Sequence, residues 1–256
     1  LTDTTASIAN TTVFDTLSNT GDVELKVALS SGSPIASTVK VSTTADTNQV
    51  KVLEFTLKAQ NSAMIVDQIP VTFASTLVES GGVDSITSNV TLKIDGETFN
   101  EAVSAASSVT ISFNDLGIEL AADETLTAVI YADINDIDAG TFAEGNELTA
   151  SITSALVVTT GSSAGALDVE DKNGDQLAAG DRSGSAIGNA ISFRTEGVNV
   201  VMGTPTYVTS THSTSGDTLT VKYTIPVAVT SFGDTLYMGQ AAQFAATATA
   251  SNSFAV

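Results

Sequence analysis

The sequence predicts an all-β protein built as an antiparallel β-sandwich, and three observations carry that expectation. Apolar residues alternate with polar ones along many short runs, the period at which successive side chains leave opposite faces of a strand. The runs are divided by Gly, Asn, Asp, Ser and Pro, the residues that turn a chain. No apolar stripe at helical spacing is of useful length. The alanine-rich window 101–107 is too short to stand as a helix without tertiary support.

The plainest alternation lies in residues 51–75. Leu53, Phe55 and Leu57 take one parity, and Glu54, Thr56 and Lys58 the other. Ile65, Ile69, Val71 and Phe73 repeat the pattern after the polar break Gln60-Asn61-Ser62. Two half-buried strands around a turn predict an antiparallel hairpin on one core. Ahead of it, residues 1–22 read as an arm or the tail of a preceding unit. Residues 23–29 and 38–42 read as strands, with Pro34 in the crossing between them. After it, 89–94 and 97–99 flank Asp95-Gly96, a strong hairpin signal, because a type I′ turn needs positive φ at both central residues. Strands follow at 108–113 and 117–120. Residues 125–132 are apolar on both parities, as in a central strand covered on both sides. Residues 147–158 and 190–194 complete roughly nine or ten strands, enough for one sandwich over 23–196. Val198 looks like a second beginning: 198–202, 218–229 (broken at Pro226), 235–238 and 244–249 are strand-like. About four strands are too few to close a sandwich, so 197–256 predicts a second, incomplete sandwich domain.

Composition bounds the function. Hydrophobic residues make up 42% of the 256, which marks a folding chain. The 29 acidic residues against 9 basic give a net charge of −20, a field that repels nucleic-acid phosphates and anionic membranes. With no cysteine, disulfides and zinc–thiolate sites are excluded. No run approaches the roughly 20 apolar residues that span a bilayer. The chain opens at Leu1 without a charged and then apolar leader, which predicts a mature product or a piece of something longer.

The runs LKVALSSGSPIASTVKVSTTADTNQVKVLEFTLKAQNSAMIVDQIPVTF (25–73), ITSNVTLKIDGETF (86–99) and LTAVIYADINDIDAGTFAEGNELTASI (126–152) resemble the Ig-like modules of long prokaryotic cell-surface and S-layer-type proteins. TLTVKYTIPVAVTSFGDTLYM (218–238) is similar to the opening strands of a next module. The resemblance implies an Ig-like sandwich, an extracellular location and a scaffolding role. Such modules carry no invariant catalytic motif, so it transfers no functional residue.

Two acidic clusters are candidate cation sites. In DVEDKNGD, Asp171, Asn173 and Asp175 stand at i, i+2 and i+4 beside Asp168 and Glu170, and Gly174 lets the backbone turn. Calcium takes six to eight oxygens, and this spacing aims three at one point. The glycine after the third ligand and the later glutamate of an EF-hand are missing, so the competing reading is a solvated Asx-rich turn. In ADINDIDAG, Asp133, Asn135, Asp136 and Asp138 follow the central strand, where calcium would rigidify an end loop; the plainer reading is an acidic loop. The single histidine, His212, sits among Ser and Thr without a triad's spacing. The absence of tryptophan leaves few platforms for a sugar site. Asn10 and Asn89 head Asn-x-Thr sequons and are candidate glycan sites.

The expected function is therefore structural and not enzymatic: a subunit of an extracellular lattice or filament that binds copies of itself. A displayed adhesin or ligand-binding module is the alternative. Calcium is the one cofactor suggested.

Overall fold

In the computed structural model, which describes residues 23–76, 81–137, 142–160, 165–212, 218–235 and 237, the alternating runs become strands. The first four are β1 (Glu24–Leu29), β2 (Ser37–Lys40), β3 (Thr47–Gln60) and β4 (Met64–Thr76). A single helical turn, α1 (Val83–Ile86), leads into β5 (Thr87–Ile94) and β6 (Glu97–Ala102). Then come β7 (Ser108–Phe113), β8 (Ile118–Leu120), β9 (Thr125–Ile134) and β10 (Glu147–Ile152), followed by α2 (Ser154–Val158). The body closes with β11 (Asp168–Asp171), β12 (Arg182–Ile187) and β13 (Ile191–Arg194).

These thirteen strands form one mixed sheet. One group runs β1–β3–β9–β5–β6, antiparallel throughout. A second is gathered on β4: β11 and β8 pair its N-terminal half, β10 and β7 its C-terminal half, and β13 joins β10. β12 belongs to both groups, lying parallel to β1 and antiparallel to β10. Side chains from the two groups meet in one buried cluster, with Leu25, Phe55 and Leu57 from the first and Ile69, Val71 and Phe73 from the second.

The all-β class and most strand parities are as expected. The exception is Ile65, expected inward with Ile69, Val71 and Phe73, which is half-buried while Met64 and Val66 are buried. The parity of β4 changes between Val66 and Ile69, where the register with β11 also shifts. Leu53, Phe55, Leu57, Ile69, Val71 and Phe73 are all fully buried. Val52 is buried beside Leu53 because the register with β9 shifts between Lys51 and Leu53, and a bulge turns two consecutive residues to one side. Asp95 and Gly96 take φ of 50° and 80° between β5 and β6, as a type I′ turn requires.

The pairing differs from expectation in several places. β3 and β4 are not a hairpin: β3 is flanked by β1 and β9, and each half of β4 has two other partners. The short link through Asn61 (φ 62°) carries the chain from one strand group to the other, so the two apolar faces meet across the core. The sheet is mixed and not purely antiparallel, since β1/β12 and β2/β13 run parallel. Long connections allow this, because a parallel pair needs a crossover. Residues 147–158 are not one strand. Thr153 ends β10 and caps α2, its side chain accepting the Leu156 N–H at 3.4 Å. β9 is central, between β3 and β5, but only the face of Ala128, Ile130, Ala132 and Ile134 is fully buried. Val129 and Tyr131 are half-exposed, and Lys93 lies 4.7 Å above the Tyr131 ring.

Beyond Arg194 the architecture changes. β14 (Gly197–Met202), β15 (Thr206–His212), β16 (Thr218–Thr224) and β17 (Val227–Phe232) pair as two nested ladders, β14 with β17 and β15 with β16. The chain runs out through β14 and β15 and returns through β16 and β17 as a two-stranded ribbon. Pro205 and Pro226 interrupt it, and the Gly203 N–H to Pro226 carbonyl bond (2.8 Å) clips the two strands there. The break at Pro226 is as expected from the sequence. Among the described residues, however, these strands form this ribbon and not two facing sheets, and they do not join the large sheet. The expected strand at 244–249 lies outside the described residues, as do positions 236 and 238 of the one at 235–238.

Candidate functional site

The first acidic cluster is arranged around a turn at the end of β11. Asp168 and Glu170 belong to β11, paired with β4. Asp168 is buried, its carboxylate accepts the Gln176 amide, and its charge acts on Arg182. Asp171 ends the strand. Its Oδ1 accepts the backbone N–H groups of Asn173 (2.7 Å) and Asp175 (3.0 Å), and the Asn173 amide reaches Oδ2 (3.1 Å). The Asp175 N–H, then that of Asn173, holds the Asp171 carboxyl below its ordinary pKa. Gly174, at φ +82°, donates to the Asp171 carbonyl at 3.0 Å and completes the turn. Asn173 and Asp175 are exposed. The i, i+2, i+4 spacing thus satisfies an Asx turn.

The second cluster diverges. Asp133 accepts the Gln49 N–H (2.8 Å) on one oxygen and the Asn89 amide (3.2 Å) on the other. The Asn135 amide donates to the carbonyls of Asp84 and Ser85, both at 3.0 Å, fixing α1 against the end of β9. Asp136 is placed by its backbone, whose N–H reaches the Asp46 carboxylate at 3.3 Å. Asp138 and Asn10 lie outside the described residues. Among the described residues no three acidic or imidazole side chains gather closely enough to hold a metal. Asn89 spends on Asp133 the amide nitrogen that a glycan would take.

Sequence reasoning missed Arg182, the largest fully buried side chain. Its guanidinium donates to the carbonyls of Leu167 and Leu177, and to that of Thr159 at 3.3 Å. It therefore ties together the end of α2, the approach to β11 and the segment after the Asp171 turn. Burial lowers its pKa, while Asp168 and Asp181 oppose that shift. A lone arginine in a Ser/Gly-rich stretch gave no local signal.

Among the described residues, most of the exposed large apolar side chains lie on the ribbon. Cross-strand partners share a face, so Val198, Val200 and Met202 of β14 lie on the same side as Val227 and Val229 of β17. All five are exposed, Met202 by 74%. Farther out, Tyr207 and Tyr223 pair across the strands with ring centroids 6.2 Å apart and stay about two-thirds exposed. An exposed apolar surface of this kind is a candidate interaction surface. What the arrangement can do chemically is bury aliphatic area and extend a sheet through unpaired backbone edges.

No family model matches the chain, and no curated protein matches it. Two solved structures show a weak likeness. A chain from the crystal structure of the CaDoc0917–CaCohA2 complex at pH 5.5 is 14% identical with a TM-score of 0.25, the match covering 66% of this chain and 99% of that one. AvmM, described as catalysing macrocyclization in alchivemycin A biosynthesis, is 10% identical with a TM-score of 0.27, covering 85% and 92%. At these scores neither likeness bears on fold or function.

Proposed function

We propose that this chain is a structural module of an extracellular surface assembly, an S-layer lattice or a filament, whose subunits associate through β-structure. The observation that carries the reading is the ribbon of β14–β17. It leaves aliphatic and tyrosine side chains in water on a two-stranded ladder, and an isolated two-stranded ladder is marginal in stability. The body supplies a largely β scaffold with one buried core. The acidic, cysteine-free composition and the resemblance to Ig-like surface modules support the extracellular setting.

Negative-stain electron microscopy of the purified chain, in calcium and in chelator, tests the reading. Sheets or filaments in either buffer support it. Dispersed particles that capture a glycan or a host protein would overturn it in favour of a displayed adhesin.

A further inference from the structure

We infer that the aliphatic face of the ribbon, formed by Val198, Val200, Met202, Val227 and Val229, packs against the same face of a second copy of this chain. The inference deepens the assembly reading and names the contact. Register defines the face: Val200 stands opposite Val229 and Met202 opposite Val227, while Val201 with Ala228 and Asn199 with Thr230 point to the other side.

Charge selects the occupant. Of the chain's 38 charged side chains, residues 197–256 hold Asp217, Lys222 and Asp234 and no others. Nearly all of the −20 net charge therefore resides in residues 1–196. Two copies meeting through their bodies would bring like charge against like charge. Meeting through the ribbon, they avoid that repulsion and bury aliphatic area on both sides. A basic partner would instead be drawn to the acidic body, away from this face. A patch that meets itself makes a closed two-fold contact.

The size of the face sets the strength. The face spans the six residue pairs of β14 and β17, so at about 3.3 Å per residue it is roughly 20 Å long, and two strands give a width of about 10 Å. About 200 Å² per copy lies well below the size of a stable interface. Each contact is then weak alone, and because it closes on two copies, a lattice or filament needs a further contact elsewhere on the chain.

The chain contains no cysteine, so Val200→Cys places a single thiol at the centre of the face. Mild oxidation should yield a disulfide-linked dimer, and Val201→Cys on the opposite side should not. In sedimentation velocity, Val200→Glu should weaken dimerisation at least tenfold. A monomer whose thiol at position 200 reacts freely would overturn the inference. So would a monomer whose thiol is protected, which would show that the chain itself covers the face. Arrays in the microscope without the position-200 cross-link would sink this contact and leave the assembly reading standing. Cross-linked dimers that never form arrays would do the reverse.

Discussion

Arg182→Ala is the substitution that tests most sharply how the body is held together. Arg182 is 2% exposed, and its guanidinium donates to three backbone carbonyls, those of Leu167, Leu177 and Thr159. Each buried carbonyl left without a donor costs about 1–3 kcal/mol. Against that stands relief from burying a charge whose Nε has no partner; losing one member of a buried charged network still costs about 3–5 kcal/mol. The expected loss is therefore about 3–4 kcal/mol. Arg182→Lys should recover little, because a single ammonium cannot span carbonyls that the planar fork reaches together. Urea unfolding is the assay, with the slope checked for constancy so that the midpoint shift reports stability. A loss below about 1 kcal/mol for Arg182→Ala would refute the reasoning, since water would then be replacing the guanidinium at no cost.

Three further outcomes follow from the geometry. Phe55→Ala should cost about 3–5 kcal/mol, the range for emptying a fully buried aromatic site; a loss under about 1 kcal/mol would show that the β3 parity is wrong. Melting curves in calcium and in chelator should coincide, because the Asp171 carboxylate already accepts the N–H groups of its own turn. A melting temperature that falls on chelation, and no longer does so in Asp171→Asn with Asp175→Asn, would instead establish a calcium site. Acid should destabilise the packing around β1 and β3. Glu24, bonded chiefly by Ser183, and Glu54, bonded by Lys51 and Ser30, both have lowered pKa values in the fold. Their contribution is complete above the ordinary glutamate value of about 4.3 and fades as pH falls through the lower folded values. Glu54→Gln should flatten that acid limb, and an unchanged limb would exclude Glu54 as its source.

Local patterning told which way side chains face, and it told little about which strands are neighbours. Phe55 and Phe73 were legible because period two is a property of the strand itself. The pairing of Val27 with Gly184 joins residues too far apart for any local period to report. β12, read locally as Arg-Ser-Gly-Ser-Ala-Ile, has the composition of a linker. Gly184 is needed there because it holds φ +93° and a Cβ would run into the Val27 carbonyl oxygen, so the residue that disguises the strand is the one that lets it approach β1. The same limit hid Arg182, whose partners are carbonyls of three separate segments. In DVEDKNGD the spacing that suits a cation also suits an Asx turn, and in the structure the backbone N–H groups of Asn173 and Asp175 both bond Oδ1 of Asp171. In the ribbon, the alternation of Val198, Val200 and Met202 promised a covering layer that the described residues do not supply.

The central claim is that copies of this chain associate through the uncharged aliphatic face of β14 and β17 while their acidic bodies repel. Sedimentation velocity of the intact chain from about 20 mM to about 500 mM sodium chloride addresses it directly, because that range shortens the screening length from roughly 20 Å to a few ångströms. The account predicts association that strengthens with salt, as the repulsion between two −20 chains is screened and apolar burial is left to act. Association that weakens as salt rises, or none at any salt concentration, would contradict it.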